Sequence, residues 1–302
     1  MNLPNRASSL EYQKRINRAL SYIRENLDRP LSLSEVANVA CFSEFHFHRL
    51  FSSLMHETLG EYITRKKLEH AAIKLAYTPA PNVTSIAEDY GYASVSSFSK
   101  AFNQWFGCRP TDIQQIKQRL DFGGGKLQSK YEKTLEANQL FVMSNGRDDR
   151  FSELNERVNT KTLPAITVAY LTSPSGYDVE SIRNTWMQLF KRVEDAGVDW
   201  NTCERFSLSH DHPGLTPTER CRYDACVNLP KCSNTKLGLP TTVIPAGRYA
   251  TFRVEGPEAS ILDQYLEFYT VWMPRSGYEP DNFPVVERYE APCDIGHIKV
   301  EL

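Results

Sequence analysis

Apolar residues in the stretch 32–54, SLSEVANVACFSEFHFHRLFSSL, fall at helical spacing in two short runs with a tight turn between them. Ser32 or Ser34 is placed to cap a first helix carrying Leu33, Val36, Ala37 and Ala40 on one side. Ser43 is placed to cap a second, with Phe47, Leu50, Phe51 and Leu54 fixing it to the body. Glu44, Phe45, His48 and Arg49 are left facing outward, a mixture that suits base edges and phosphates in a DNA major groove. Two short amphipathic helices also occur in enzymes and bundles, so one copy decides little. The pattern returns about fifty residues later, at 84–105, TSIAEDYGYASVSSFSKAFNQW. Val36 and Ala37 match Ile86 and Ala87, and Cys41 and Phe42 match Gly91 and Tyr92. Phe47, Phe51 and Leu54 match Phe98, Phe102 and Trp105, and Arg49 falls on Lys100, with one residue inserted at Ala93 or Ser94. Core, turn and outward cation recurring together mark a duplicated fold unit.

The flanking segments read as its support. Residues 9–27 place Ile16, Leu20, Ile23 and Leu27 on one helical face and end at Asp28-Arg29-Pro30. Residues 60–77 form one continuous helix on Tyr62, Leu68, Ala71, Ala72 and Leu75, stopped by Thr78-Pro79-Ala80-Pro81. Such a connector matters because two recognition helices enter successive major grooves only if held about one DNA turn, roughly 34 Å, apart. The second helix presents Val95, Ser96, Ser97 and Lys100. Arg49 and Lys100 suit base reading and phosphate clamping equally well. His48 has a plainer alternative as a solvated helix histidine.

The rhythm breaks between Leu120 and Leu154, where Gly123-Gly124-Gly125 and SNGRDDRFSE read as linker; without a following Lys-Ser/Thr and helix the glycines make no phosphate loop. The second half then repeats as well. A strand at 165–171, a helix at 179–193 with Val179, Ile182, Trp186, Leu189 and Val193 on one stripe, and strands at 206–209 and 222–229 form one unit. A strand at 249–254, a helix carrying Ile261, Leu262, Tyr265, Phe268, Tyr269 and Trp272, and strands at 283–289 and 295–302 form the next. Gly176 and Gly256 occupy matching turns. The expected architecture is an all-α N-terminal domain with two helix-turn-helix motifs, at 9–118, a linker at 119–154, and an α+β C-terminal domain of two tandem strand-helix-strand-strand units, at 155–302, with a cleft along its pseudo-two-fold seam. Alternation places Phe283, Val285, Glu287 and Tyr289 on one strand face, so a carboxylate stands in an apolar row and needs a partner there.

Charge sharpens this division. Residues 1–120 carry 15 Lys+Arg against 11 Asp+Glu, a net +4, and the remaining 20 against 26 give −6. The sign of the first half agrees with a polyanionic partner, though a charge this small argues for none by itself. No run of about eighteen apolar residues exists and the polar N-terminus lacks a signal stretch, so no membrane partner and a cytoplasmic location are expected. Seven cysteines without regular spacing fit reduced thiols. A zinc site from His210, Asp211 and His212 with Cys203, Cys221, Cys226 and Cys232 is disfavoured, because no Cys-x-x-Cys pair exists and Cys221 and Cys226 point to opposite faces of a strand.

With GYASVSSFSKAFNQWFGCRPTDIQ closing the second motif, residues 12 to 118 resemble the DNA-binding domain of AraC-type transcription regulators. Cys41 stands where a small turn residue, often glycine, is usual, and TDIQ replaces a commoner aromatic and basic ending. The stretches HDHPGLTPTERCRYDACV and IPAGRYATFRVEG and the aromatic helix that follows resemble a GyrI-like effector-binding domain over residues 155–302, although GHIKVEL departs from its usual ending. The resemblance implies double-stranded DNA as partner, contacted by Glu44, Phe45, His48, Arg49, Val95, Ser96, Ser97 and Lys100. It further implies RNA polymerase as a partner in activation, and no cofactor. It also implies a small, lipophilic, cationic effector held by Tyr170, Trp186, Tyr223, Tyr269, Glu287 and Tyr289. Against this stand a structural pairing of Glu287 with Arg253, Arg288 or Lys299, and packing roles for Trp186 and Tyr269. Two other functions stay open for the second domain. It could be a small-molecule hydrolase with Glu287 as general base, or a module that binds a protein such as a topoisomerase.

Overall fold

The computed structural model describes residues 6–78, 80–113, 126–128, 134–136, 147–212, 215–228, 237–257, 264–265, 267–290 and 297–301. The chain divides into two compact units, Met1–Phe141 with Tyr278–Asn282, and Val142–Gly277 with Phe283–Leu302.

In the first unit six helices follow in order: α1 (Arg6–Glu25), α2 (Leu33–Val39), α3 (Glu44–Met55), α4 (Leu59–Tyr77), α5 (Val83–Asp89) and α6 (Val95–Phe106). Each motif helix starts where a side chain can take one of the amide donors that a helix leaves unsatisfied at its N-terminus. Ser32 accepts from the Glu35 amide, Ser43 from that of His46, Asn82 from those of Thr84 and Ser85, and Ser94 from that of Ser97. Val36, Ala37, Phe47 and Phe51 are buried, as are their counterparts Ile86, Ala87, Phe98 and Phe102. One expected match fails: Trp105 is 5% exposed but Leu54 is 50% exposed. Leu54 lies a turn beyond Phe51, whose ring packs edge-on against Tyr62 at 5.5 Å, and it does not help fix α3.

Helix α4 buries more than its apolar stripe. Arg65, Lys66, Lys67 and Glu69 are enclosed along with Tyr62, Leu68, Ala71, Ala72 and Leu75. Arg65 donates to both carboxylate oxygens of Glu57 at 2.7–3.2 Å and to those of Glu69 at 3.1 and 3.2 Å. Lys67 Nζ donates to the carbonyls of Arg29 at 3.3 Å and Tyr90 at 2.8 Å, joining the segment after α1 to the turn between α5 and α6. That turn takes a left-handed conformation at Gly91 (φ +70°), and a Cβ there would lie 2.6 Å from the Asp28 carbonyl oxygen. Cys41 occupies the same place in the first motif with φ 55°, a conformation that costs a residue with a Cβ.

Strands β1 (Lys126–Gln128) and β2 (Thr134–Glu136) form a small antiparallel pair. The triple glycine lies outside the described residues. Residues 147–154, expected as linker, belong instead to helix α7 (Arg147–Arg157), held by fully buried Leu154, by Arg150 on Glu267 and by Trp272 donating to Asn155.

The second unit is one eight-stranded antiparallel sheet in the order β3-β8-β10-β9-β5-β6-β4-β7. Its strands are β3 (Val158–Leu163), β4 (Ile166–Thr172), β5 (Glu204–Ser209), β6 (Tyr223–Asn228), β7 (Thr241–Ile244), β8 (Gly247–Pro257), β9 (Val285–Tyr289) and β10 (His297–Glu301). The two repeats are visible in this order. β4, β5 and β6 with helix α8 (Val179–Asp195) make one, and β8, β9 and β10 make the other. They join where β5 pairs with β9, with Ser207 opposite Glu287. Strands β3 and β7 were not expected from the sequence; each precedes one repeat and extends the edge of the other, β3 on β8 and β7 on β4. Gly256 lies inside β8 opposite Ile298 rather than in a turn, whereas Gly176 does sit in one, with φ +61°. The second repeat's helix contains a π-helical turn at Phe268–Trp272, followed by a 3₁₀ turn; Ile261 and Leu262 lie outside the described residues.

Alternation sorts the sheet's side chains into two cores. Ala169, Tyr223, Ala225 and Val227 pack with Leu189 and Val193 of α8. Val168, Tyr170, Phe206, Leu208 and Cys226 form the core of the opposite face. No helix among the described residues is long and apolar enough to cross a membrane.

Candidate functional site

Burial of Phe47 and Phe51 in α3, and of Phe98 and Phe102 in α6, turns the rest of each helix outward. Glu44, Phe45, His48, Arg49, Val95, Ser96, Ser97 and Lys100 are all exposed. Phe45, 73% exposed, lies beneath the Arg49 guanidinium, whose carbon is 5.7 Å from the ring centroid. A charged fork held over an exposed ring joins a phosphate or guanine donor to an apolar surface. Ser97 differs from its neighbours because it is engaged in the cap of α6: its hydroxyl donates to the Ser94 carbonyl at 2.8 Å, and its amide donates to Ser94 Oγ. It has less hydrogen-bonding capacity free for DNA than Ser96.

In the second unit the β5–β9 pairing carries Glu287 onto the same sheet face as Ser207, Tyr289 and Tyr223. Ser207 Oγ and the Tyr289 hydroxyl each donate to Glu287 Oε2 at 2.6 Å. The Tyr289 and Tyr223 hydroxyls lie 2.9 Å apart, and Trp186 Nε1 donates to Tyr223 at 3.0 Å. The Trp186 ring meets Tyr289 edge-on at 5.1 Å. Glu287 Oε1 has no hydrogen-bond partner among the described residues, and none of their cations pairs with Glu287. Of the structural pairings considered, Arg253 bonds Glu290 and Arg288 bonds Glu204 instead, while the Lys299 side chain lies outside the description. Burial and the Glu287 charge push the phenols of Tyr289 and Tyr223 above their ordinary range, so both stay protonated as donors.

Tyr269 packs against Tyr265 at 4.9 Å and faces His212, and burial raises its phenol to about 12. Burial pushes the Tyr265 phenol well above its ordinary range too, and the Glu287 charge adds to that. Tyr170 is not brought to this cluster. Its register partner is Cys226, so it belongs to the opposite sheet face, where Arg222 lies 5.9 Å over its ring. Sequence reasoning missed Ser207, which a polar residue alternating with Phe206 and Leu208 signals, and Tyr265, which the sequence places only on the apolar stripe of the second repeat's helix.

Near Tyr170 a second carboxylate, Asp224, is wholly buried. Burial opposes its ionisation, but Arg222 at 2.8 Å and His210 at 2.7 Å outweigh that and hold it well below the usual carboxylate range, with Thr172 donating at 2.6 Å. His210 is thereby committed to the hydrogen-bond network around Asp224. No cluster of three His, Cys, Asp or Glu side chains suited to a metal ion occurs among the described residues.

Residues 36–116 match a family described as a helix-turn-helix domain, and residues 156–302 one described as a GyrI-like small molecule binding domain. Regulatory protein SoxS of Escherichia coli (strain K12) is 36% identical over 105 residues, 35% of this chain and 97% of SoxS. The HTH-type transcriptional regulator YbfP of Bacillus subtilis (strain 168) is 28% identical over 180 residues, 60% of this chain and 58% of its own. Transcriptional regulator Rob of Salmonella typhimurium is 32% identical over 104 residues, 34% of this chain and 36% of Rob. Among solved structures, the DNA-binding domain of AdpA in complex with a target DNA aligns with 36% of this chain and 97% of that chain at 20% identity and a TM-score of 0.33, too loose a likeness to argue from.

Proposed function

The chain belongs to the AraC-type transcription regulators that carry a GyrI-like small-molecule-binding domain, and from that premise we propose a ligand-responsive activator. Helices α3 and α6 grip an asymmetric site in two adjacent major grooves, using Glu44, Phe45, His48 and Arg49 in one and Val95, Ser96, Ser97 and Lys100 in the other. Two features support this: the outward exposure of all eight side chains, and the Lys67 tie between the segment leading into the first motif and the turn of the second. Because both helices are in one chain, a monomer suffices. The bound chain recruits RNA polymerase in the cytoplasm, which transcription reconstituted with purified polymerase on a bound promoter tests directly.

The effector is a small lipophilic cation received at Glu287 by Trp186, Tyr223, Tyr269 and Tyr289. The observation that carries this reading is the half-buried carboxylate whose Oε1 no described residue bonds, set among aromatic rings. A cation offered there gains a charge partner and ring faces together. Titration with tetraphenylphosphonium tests it: binding that is lost in Glu287→Gln supports the site, and equal affinity of the two proteins overturns it. Under this reading the ligand leaves unchanged, so a hydrolysis product appearing with turnover would also count against it.

A further inference from the structure

Arg205 stands on β5 two residues before Ser207 and directly opposite Tyr289, on the same sheet face as Glu287. Its guanidinium carbon lies 5.9 Å from the ring centroid of Trp200, which meets Trp186 edge-on at 6.3 Å, and Trp186 in turn meets Tyr289. Arg205 therefore borders the aromatic wall around Glu287. Its Nε is shut off from solvent and finds no hydrogen-bond acceptor among the described residues. The neighbouring carboxylate on the strand, Glu204, does not serve it, being engaged by Asn228 and Arg288. A planar cation that no acid pairs among the described residues, diagonal on the paired strands to an acid with an open oxygen, is an arrangement that a purely cationic ligand would use only in part.

We propose that Arg205 is the second anchor of the effector site, and that among the aromatic cations received at Glu287 the site prefers one that also carries a carboxylate, a compact zwitterion. Its ammonium end sits at Glu287 and its carboxylate end at Arg205. Diagonal neighbours on paired strands are roughly 7–8 Å apart, a separation that one substituted ring spans. The guanidinium fork donates two parallel hydrogen bonds to a carboxylate, which an ester or a neutral group does not accept in the same way. Arg205 thereby ranks a zwitterion above a ligand carrying positive charge alone, so it acts as a selector as well as an anchor.

The proposal rests on the Glu287 reading, and a matched pair of probes separates the two. 4-(Aminomethyl)benzoate carries both charges, and its methyl ester keeps only the ammonium. Calorimetric titration of the full chain should give the acid an affinity about tenfold above the ester. Arg205→Gln should collapse that preference to less than about twofold, and Arg205→Lys, which keeps the charge without the fork, should restore part of it. Glu287→Gln should weaken both probes. Equal affinities in the native chain, or a preference that survives Arg205→Gln in protein with an unchanged melting transition, overturns the Arg205 assignment while leaving the Glu287 site standing. Absence of binding by both probes overturns the Arg205 assignment, and the Glu287 site with it where tetraphenylphosphonium also fails to bind; indifference of both to Glu287→Gln overturns the two together.

Discussion

In the helical unit Arg65 is 1% exposed, and Glu57 and Glu69 occupy its donors; in the sheet unit Glu287 takes two hydroxyl donors on one oxygen and leaves the other open. The two sites show what distinguishes a buried charge that holds a fold from one available for binding. Arg65 lies between two acids inside the helix that links the DNA-reading motifs, and all of that unit's candidate chemistry is outside, on exposed faces. Glu287 lies on the seam between two repeats, where its partners are hydroxyls and its surroundings aromatic. Asp224, in the same sheet, shows that this unit can close off a carboxylate fully, with Arg222, His210 and Thr172. The incomplete pairing of Glu287 is thus specific to its position.

The contrast can be broken first at Arg65. Arg65→Ala removes the guanidinium that bridges buried Glu57 and Glu69, and should destabilise the helical unit by roughly 3–5 kcal/mol in denaturant unfolding, with loss of DNA binding. The next largest effect is acid lability in the sheet unit. Burial depresses the folded His212 imidazole from 6.5 to about 4, so the folded state binds fewer protons than the unfolded chain between those values. The stability this contributes is complete above pH 6.5 and falls as pH drops toward 4, by roughly 3 kcal/mol in all, and His212→Leu should flatten that part of the pH–stability curve. Gly91→Ala places a Cβ against the Asp28 carbonyl in a left-handed turn and should cost about 2 kcal/mol or more, whereas Cys41→Gly at the matching position should change stability by less than about 1 kcal/mol. Smallest of all is Glu287→Gln, expected to shift stability by under about 1 kcal/mol while removing ligand binding. A stability loss there as large as that of Arg65→Ala would make Glu287 a structural acid and erase the contrast.

Much of this was legible in the chain because the helical unit writes its fold locally. Phe47 and Phe51, and Phe98 and Phe102, recur at helical spacing, and the serine caps lie three residues before the amides they satisfy. Exposure of the eight candidate DNA-contacting positions follows from that spacing alone. Less legible were groups whose role depends on distant partners. Nothing in their residue types marks Arg65 and Lys67 of α4 as buried, yet their acceptors include Glu57 and the carbonyls of Arg29 and Tyr90. Strand β3 was missed because its four central residues are polar and exposed at the sheet edge, and β7 because TTVI is too short for an alternation to mark it. Tyr170 was grouped with Glu287 by residue type, but sheet face is set by register, and Ala169 rather than Tyr170 points to the α8 side. Ser207 escaped notice for the same reason, since only the β5–β9 pairing brings it to Glu287.

Hydroxyl-radical footprinting of the purified chain, on a DNA site selected from random sequence, tests most directly whether α3 and α6 act as a spaced pair. The expected result is two protected patches about 10 base pairs apart on one face of the duplex, given by a complex of one chain per site. Arg49→Ala should thin one patch and Lys100→Ala the other. A single patch, or an inverted repeat protected only by two chains, would contradict the account.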